Sequence, residues 1–220
     1  MDTTITIDGT ADGASASGLI ATSGATITFN NANNVIKTDT AKGTVKNVDA
    51  IYANNGTVTM TDGTINITNN SAVGNSFANG IHAVAGSNVI LKDLGANLTV
   101  AATNAGSVNG VLADGDGTIV NVSGTDLNKI TSVKGAATGL AASDKAAINV
   151  TMDANNVSKD IVVTATGNGS ATGVSAQSGA TNTVAGNESK LTVSSQGGPV
   201  IGVIAADENS KNTLTGMADM

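Results

Sequence analysis

The sequence has no cysteine, no tryptophan and no arginine, and its only proline is Pro199. Without cysteine a disulfide scaffold is excluded, while the compartment stays open, because cytosolic chains and exported bacterial chains both avoid the residue. All 10 basic residues are lysine and the formal net charge is −7. Bidentate phosphate recognition and a positive nucleic-acid groove are therefore disfavoured, and nucleic acid is not expected as a partner. An anionic surface instead suits solubility or loose cation binding. Only three aromatic rings exist, Phe29, Tyr52 and Phe77, so those are the only large rings a core can draw on. The interior has to be built from Val, Ile, Leu and Ala. No apolar run approaches the roughly 18 residues of a membrane span, and MDTTITIDG alternates like a strand, unlike a secretory leader. If the protein is exported, its signal and anchor are expected outside this chain, and no membrane insertion is expected from it.

What is present in quantity is Asn, Thr, Ser and Gly interleaved with β-branched residues. With 40% hydrophobic residues the chain is too apolar for a disordered segment. Self-similarity then appears in SGLIATSGATITF, DAIYANNGTVTM, NGIHAVAGSNVIL, NGVLADGDGTIVNV, TGLAASDKAAINV, TGVSAQSGATNTV and IGVIAADEN. The shared core is Gly, aliphatic, variable, Ala. Its alanines are Ala21, Ala53, Ala83, Ala113, Ala142, Ala176 and Ala205, spaced by about 30 residues as in solenoid units.

Each copy adds two further apolar beats. The second is Ile27/Phe29, Val58/Met60, Val89/Leu91, Val120/Val122 and Ile148/Val150; the third is Ile65/Ile67, Leu98/Val100, Ile130, Ile161/Val163, Leu191/Val193 and Leu214. All alternate with period two, as half-buried strands do, and Gly, Asn, Asp and Ser punctuate them as turns. Three short strands per repeat, each pairing with its counterpart one repeat later, predict an all-β fold, a parallel β-helix of seven coils. At about 4.8 Å per coil it makes a rod of roughly 34 Å. An antiparallel sandwich or barrel offers no reason for an alanine at one phase of every copy. Residues 1–220 read as one β-helix segment, cut from a longer solenoid, with Thr4 to Ile7 and Asn212 to Thr215 as its uncapped first and last strands.

If the aliphatic after Gly and the Ala point inward, the residue between them points outward. That column is Ile20, Tyr52, His82, Leu112, Ala141, Ser175 and Ile204, partly apolar and aromatic, and it is the expected contact stripe for a partner. Val48, Val108 and Val200, two residues before the Gly position, put a change of parity there, so a bend or bulge is expected. Asp114-Gly-Asp116-Gly is the only tight acidic cluster, a weak calcium signal that reads better as an exposed turn, so no metal or other cofactor is expected. Thr4/Thr6, Thr26/Thr28, Thr57/Thr59 and Thr181/Thr183 suggest a flat threonine array, but Asn88, Val120 or Asn149 occupy the matching positions elsewhere. Asn-x-Ser/Thr triplets, as at Asn66, Asn97, Asn121, Asn149 and Asn187, barely exceed what such a composition yields by chance.

Catalysis is not expected. Glycoside hydrolysis needs two facing carboxylates, yet the chain has only Glu188 and Glu208 and most of its Asp residues lie in turns. His82 has no Gly-x-Ser-x-Gly elbow, and GNGSATG (167–173) misses a dinucleotide fingerprint in spacing and precedes a strand.

The stretches GIHAVAGSNVILKD, GVLADGDGTIVNVSG and GTVTMTDGTINITNNSA resemble the passenger repeats of bacterial autotransporter adhesins and related secreted β-helix proteins. The resemblance covers essentially the whole chain and implies a passenger on the surface of a diderm bacterium. A signal peptide and an outer-membrane barrel would be supplied by parts not in this chain. It carries no catalytic residues across. The expected role is that of a non-enzymatic adhesive surface or rigid stalk, with a host or bacterial surface protein or glycan as partner. The rivals are a self-associating structural module or filament subunit and, behind it, a polysaccharide-active β-helix enzyme or phage-spike fragment.

Overall fold

The alanine of each copy stands beside the alanine of the next. Ala21, Ala53, Ala83, Ala113, Ala142, Ala176 and Ala205 are successive register partners in the computed structural model, which describes residues 3–8, 14–38, 45–71, 75–94, 98–104, 106–152 and 159–218. Around that column the chain winds through three seven-stranded sheets in which every pairing is parallel. Sheet I holds Thr4–Ile7, Val35–Thr38, Thr64–Asn69, Thr99–Ala102, Leu127–Ser132, Ile161–Ala165 and Leu191–Ser195. Sheet II holds Ser15–Thr22, Asn47–Asn54, Phe77–Val84, Ser107–Asp114, Ala137–Ser143, Ala171–Gln177 and Val200–Ala206. Sheet III holds Thr26–Asn30, Thr57–Thr61, Asn88–Lys92, Ile119–Ser123, Ala147–Thr151, Thr181–Ser189 and Lys211–Met217. The chain visits the sheets in the order I, II, III and begins again one strand further on. This is the all-β parallel β-helix read from the repeat, with no helix among the described residues.

The interior is a set of like-on-like columns. Ile67, Val100, Ile130, Val163 from sheet I, Ile51, Ile81, Val111, Leu140 from sheet II and Val58, Val89, Val120, Ile148 from sheet III are all fully buried. Branched aliphatics stack on themselves at the strand spacing without voids, so the prism needs no aromatic filling. The rings are accordingly elsewhere: Phe29 and Tyr52 are only half-buried and Phe77 is 40% exposed.

Two assignments of the beats are corrected. Leu214 belongs to the second beat, since it pairs with Val184 in sheet III. Its copy was hard to phase because the aliphatic expected two residues earlier is Asn212, and Asn182 precedes it in the same column after Ile148. The two amides face inward and are linked: Asn182 Nδ2 donates to Asn212 Oδ1 at 2.8 Å and to the Ser175 carbonyl, Asn212 Nδ2 donates to the Ile204 carbonyl, and Asn182 Oδ1 is left buried without a partner. In the second correction, Val120 is buried, so it does not interrupt an outer threonine array; the outward residues of that strand are Ile119 and Asn121, aligned with Asn88 and Ile90.

The parity change in sheet II is a bend. In Asn47–Asn54 the residues Val48, Ala50, Ile51 and Ala53 are all fully buried, so two consecutive residues, Ala50 and Ile51, face inward. The outward residues on either side, Asp49 and Tyr52, thereby flank the bend. The reason for glycine in the motif is distance. A Cβ on Gly110 would lie 2.5 Å from Ile130 Cδ1 of sheet I and 2.7 Å from the Gly139 carbonyl oxygen of the next coil. At Gly110 a residue without a side chain lets sheet II fold that close onto sheet I, while the second coil carries Ala50, fully buried, at the same position.

Between sheets II and III the chain reverses through residues with positive φ at one height of every coil, among them Ser23, Asn55, Ala85, Asp144 and Ser178. Their amides extend the ladder past the strands: Ser23 donates to the Asn54 carbonyl, Asn55 to Val84 and Ala85 to Asp114. These turns are exposed at Ser23, Asn55, Ala85 and Ser178, as the Asn/Gly/Ser punctuation predicts.

Candidate functional site

Two outward columns run along sheet II, one on each side of the bend. The one read from the sequence is continuous in register: Ile20, Tyr52, His82, Leu112, Ala141, Ser175 and Ile204 are successive partners. They are not equally accessible. Ile20 is 54% exposed, Tyr52, His82, Leu112, Ala141 and Ile204 are half-buried, and Ser175 is nearly covered. The column is therefore interrupted at Ser175, between Ala141 and Ile204.

The second column was not singled out from the sequence. It is Ser17, Asp49, Asn79, Asn109, Thr138, Thr172 and Ile201. Over the first four coils the bend closes the two columns into an open groove of about 660 Å³, with Phe77 on its wall. The groove therefore gathers the only histidine, the only tyrosine and one of two phenylalanines of a chain of 220 residues. Phe77 escaped the sequence reading because it precedes the glycine by three, on the far side of a bend whose direction alternation alone does not give.

Asp49 is the floor of the groove. Its side chain is 7% exposed, and it is the only charged residue buried among the described ones. A carboxylate out of water costs several kcal/mol unless polar groups replace its hydration. Asn79 Nδ2 donates to Oδ1 at 2.7 Å, His82 Nδ1 lies 3.4 Å from the same oxygen, and Ser17 Oγ donates to Oδ2 at 3.4 Å. The polar line continues to the next coil, where Asn109 Nδ2 donates to Asn79 Oδ1 at 2.8 Å. One sequence signal was available: Asp49 sits between Val48 and Ala50 inside an apolar strand, unlike the turn aspartates.

This arrangement fixes the rings. His82 turns Nδ1 toward the carboxylate; with the proton on that nitrogen, the neutral ring would present Nε2 as an acceptor. Tyr52 meets His82 edge to face, with centroids 5.2 Å apart and planes at 68°, a contact worth about 0.5–1.5 kcal/mol. Asn54 Nδ2 donates to the Tyr52 hydroxyl at 3.3 Å, which leaves that O–H free to donate. The hydroxyl nearest to the acid, Ser17, is bonded to Asp49 and not to the imidazole, so serine, histidine and aspartate do not form a nucleophile–base relay.

The other sites singled out from the sequence are engaged elsewhere. Asp114 accepts a hydrogen bond from Ser143, and Asp116 pairs with Lys145 Nζ at 3.2 Å, both across to the next coil. No group of three or more metal-ligating side chains occurs among the described residues. Thr26 and Thr28 do stand beside Thr57 and Thr59 on the outer face of sheet III, and the array stops at Asn88 and Ile90. Asn66, Asn149 and Asn187 are exposed and Asn121 is half-buried, while Asn97 lies outside the described residues.

Comparison with known proteins finds no matching family model and no significant likeness to a curated protein or a solved structure.

Proposed function

We propose that this chain is a non-catalytic binding rod, an adhesive segment of an extracellular bacterial surface protein, and that it engages its partner through the groove on sheet II. The observation that carries the reading is the convergence of Tyr52, His82 and Phe77 on one bent sheet face over a buried, fully engaged carboxylate. Rare, rigid, amphipathic side chains held in place by hydrogen bonds are what a recognition surface uses, and a merely structural coil has no use for them. The absence of a nucleophile–base pair in the groove supports a binding role over a hydrolytic one. The adhesive setting rests on the resemblance of the repeats to autotransporter passengers.

The test is capture of epithelial cells, matrix proteins, mucin and bacteria by beads coated with the chain. Beads carrying Tyr52→Ala/Leu112→Ala should lose at least tenfold in capture while the circular dichroism of the variant stays that of the parent. Val111→Asp, which puts a charge into the fully buried column, should unfold the protein outright. Undiminished capture by the double variant would remove the groove from the account, and no capture by folded beads would leave this segment a stalk.

A second reading, self-association, is favoured by the face of the last coil. There Leu191, Val193, Leu214 and Met217 surround an open hollow of about 510 Å³, and inward-facing Val203 is 44% exposed.

A further inference from the structure

If the groove on sheet II is a binding site, as proposed above, its shape and charge also restrict the chemistry of its ligand. Its long direction is the solenoid axis, because its walls come from the same register positions of four successive coils. Four coils span three strand spacings of about 4.8 Å, on the order of 14 Å. A ligand laid along it meets one pair of register positions per coil, with different side chains at each. A polymer with a repeat of similar length fits this better than a single compact molecule.

Charge narrows the class. No lysine lines the groove and its floor is an aspartate, so a polyanion would find no lysine there to pair with. A cationic peptide side chain gains little, because both carboxylate oxygens of Asp49 are already occupied by Asn79, His82 and Ser17 and the group is almost out of reach. Backbone recognition of a peptide is confined to one place. The groove lies on the face of a sheet, and of its four strands only Ser15–Thr22 has an edge that no described strand pairs, so strand addition would run along the rim and leave the three inner coils of the groove unread.

What the groove does offer is neutral hydrogen bonding between apolar surfaces. His82 Nε2 accepts, the Tyr52 hydroxyl donates, and Asn109 retains a carbonyl oxygen and one amide hydrogen after bonding Asn79. Ile20, Phe77 and Leu112 supply the apolar flanks. Hydroxyls that donate and accept at short intervals, on a ring with C–H faces that pack against aromatic and aliphatic side chains, meet every one of these requirements. We propose that the groove binds a neutral, unsulfated, uronate-free glycan laid along the solenoid axis, about one sugar residue per coil, with Asp49 as a positioning residue that holds Asn79 and His82 and does not touch the sugar.

The molecule contains its own reporters. Tyr52 is the only tyrosine of a chain without tryptophan, and His82 is the only histidine, so tyrosine emission and the histidine ring proton resonances both report on the groove. Titration with cellohexaose, mannohexaose and chitohexaose, with oligogalacturonate as the acidic control, should shift both signals for at least one neutral series and for none of the acidic chains. Affinity should rise with chain length to about four residues and then level off. His82→Leu should weaken binding at least tenfold and His82→Gln, which keeps an acceptor, should recover most of it.

The same beads separate the two proposals. Capture that disappears after periodate oxidation of the target surface, or under competition by the neutral oligosaccharide, supports the glycan. Capture that depends on Tyr52 but survives periodate and is lost on protease treatment overturns the glycan and leaves a protein-binding groove. Equal binding of acidic and neutral chains overturns the charge argument and with it the assignment. A groove that responds to no oligosaccharide, on beads that capture nothing, overturns both.

Discussion

At the scale of single residues, the same motif position has opposite requirements in different coils. Gly110 has core and backbone atoms within 2.7 Å of where a Cβ would stand, whereas Gly202, its counterpart in the last coil, has nothing within 4 Å. Gly110→Ala should therefore destabilise the protein by about 1–3 kcal/mol through overpacking. Gly202→Ala should be neutral or stabilise by up to about 1 kcal/mol, because alanine has less freedom to lose. Thermal melts of the two variants side by side decide the point, and equal losses would mean that the glycine is kept for its backbone conformation and not for closeness. The motif Gly-aliphatic-x-Ala was legible because the alanine recurs in all seven copies and the glycine in six, Ala50 replacing it in the second. Asp49 was not, since its significance lies in the Asn79 and His82 side chains brought to it from the next coil.

At the scale of elements, the turns between sheets II and III show where local chemistry and fold disagree. Ser23, Asn55, Asp144 and Ser178 are short polar residues suited to a positive φ, but Ala85 adopts 55° with a methyl side chain. A left-handed alanine costs roughly 1–2 kcal/mol, part of which glycine returns as greater chain entropy in the unfolded state. Ala85→Gly should raise stability by about 0.5–1 kcal/mol, read from denaturant midpoints at unchanged slope; a lower midpoint would show that the alanine methyl packs usefully against its neighbours. Strands were the most legible elements, because alternation with period two marks each of them. The bend in sheet II was visible as a break in that alternation, and its consequence, a concave outer face, was not. Alternation says which residues share a side and is silent on how sharply the side is folded.

At the scale of the whole molecule, stability is set by stacking. Each coil buries its aliphatic side chains because neighbours lie against it, and Val203 and Leu214, whose strands have a described neighbour on one side only, stay partly open. The last strands, Leu191–Ser195, Val200–Ala206 and Lys211–Met217, also each have one edge that pairs with no described strand. If that face governs association, sedimentation velocity should show species growing with protein concentration, and Leu214→Lys should return them to monomer. A parent chain that stays monomeric throughout the concentration series would end the self-association reading.

The repeat by itself determined the all-β class, the three beats, the alanine column and the outward column through Tyr52 and His82. It could do so because a solenoid writes its contacts periodically: a residue about 30 positions away is the neighbour in space, and like pairs with like. Only the tertiary structure decided that the outward column is one wall of a groove, with Phe77 on its wall and Asp49 as its floor. It also decided that Ser175 is covered and that asparagines take over an inward column in the last two coils. Those features depend on the angle at which one sheet bends and on side chains from adjoining coils meeting across it, and neither quantity leaves a period in the chain.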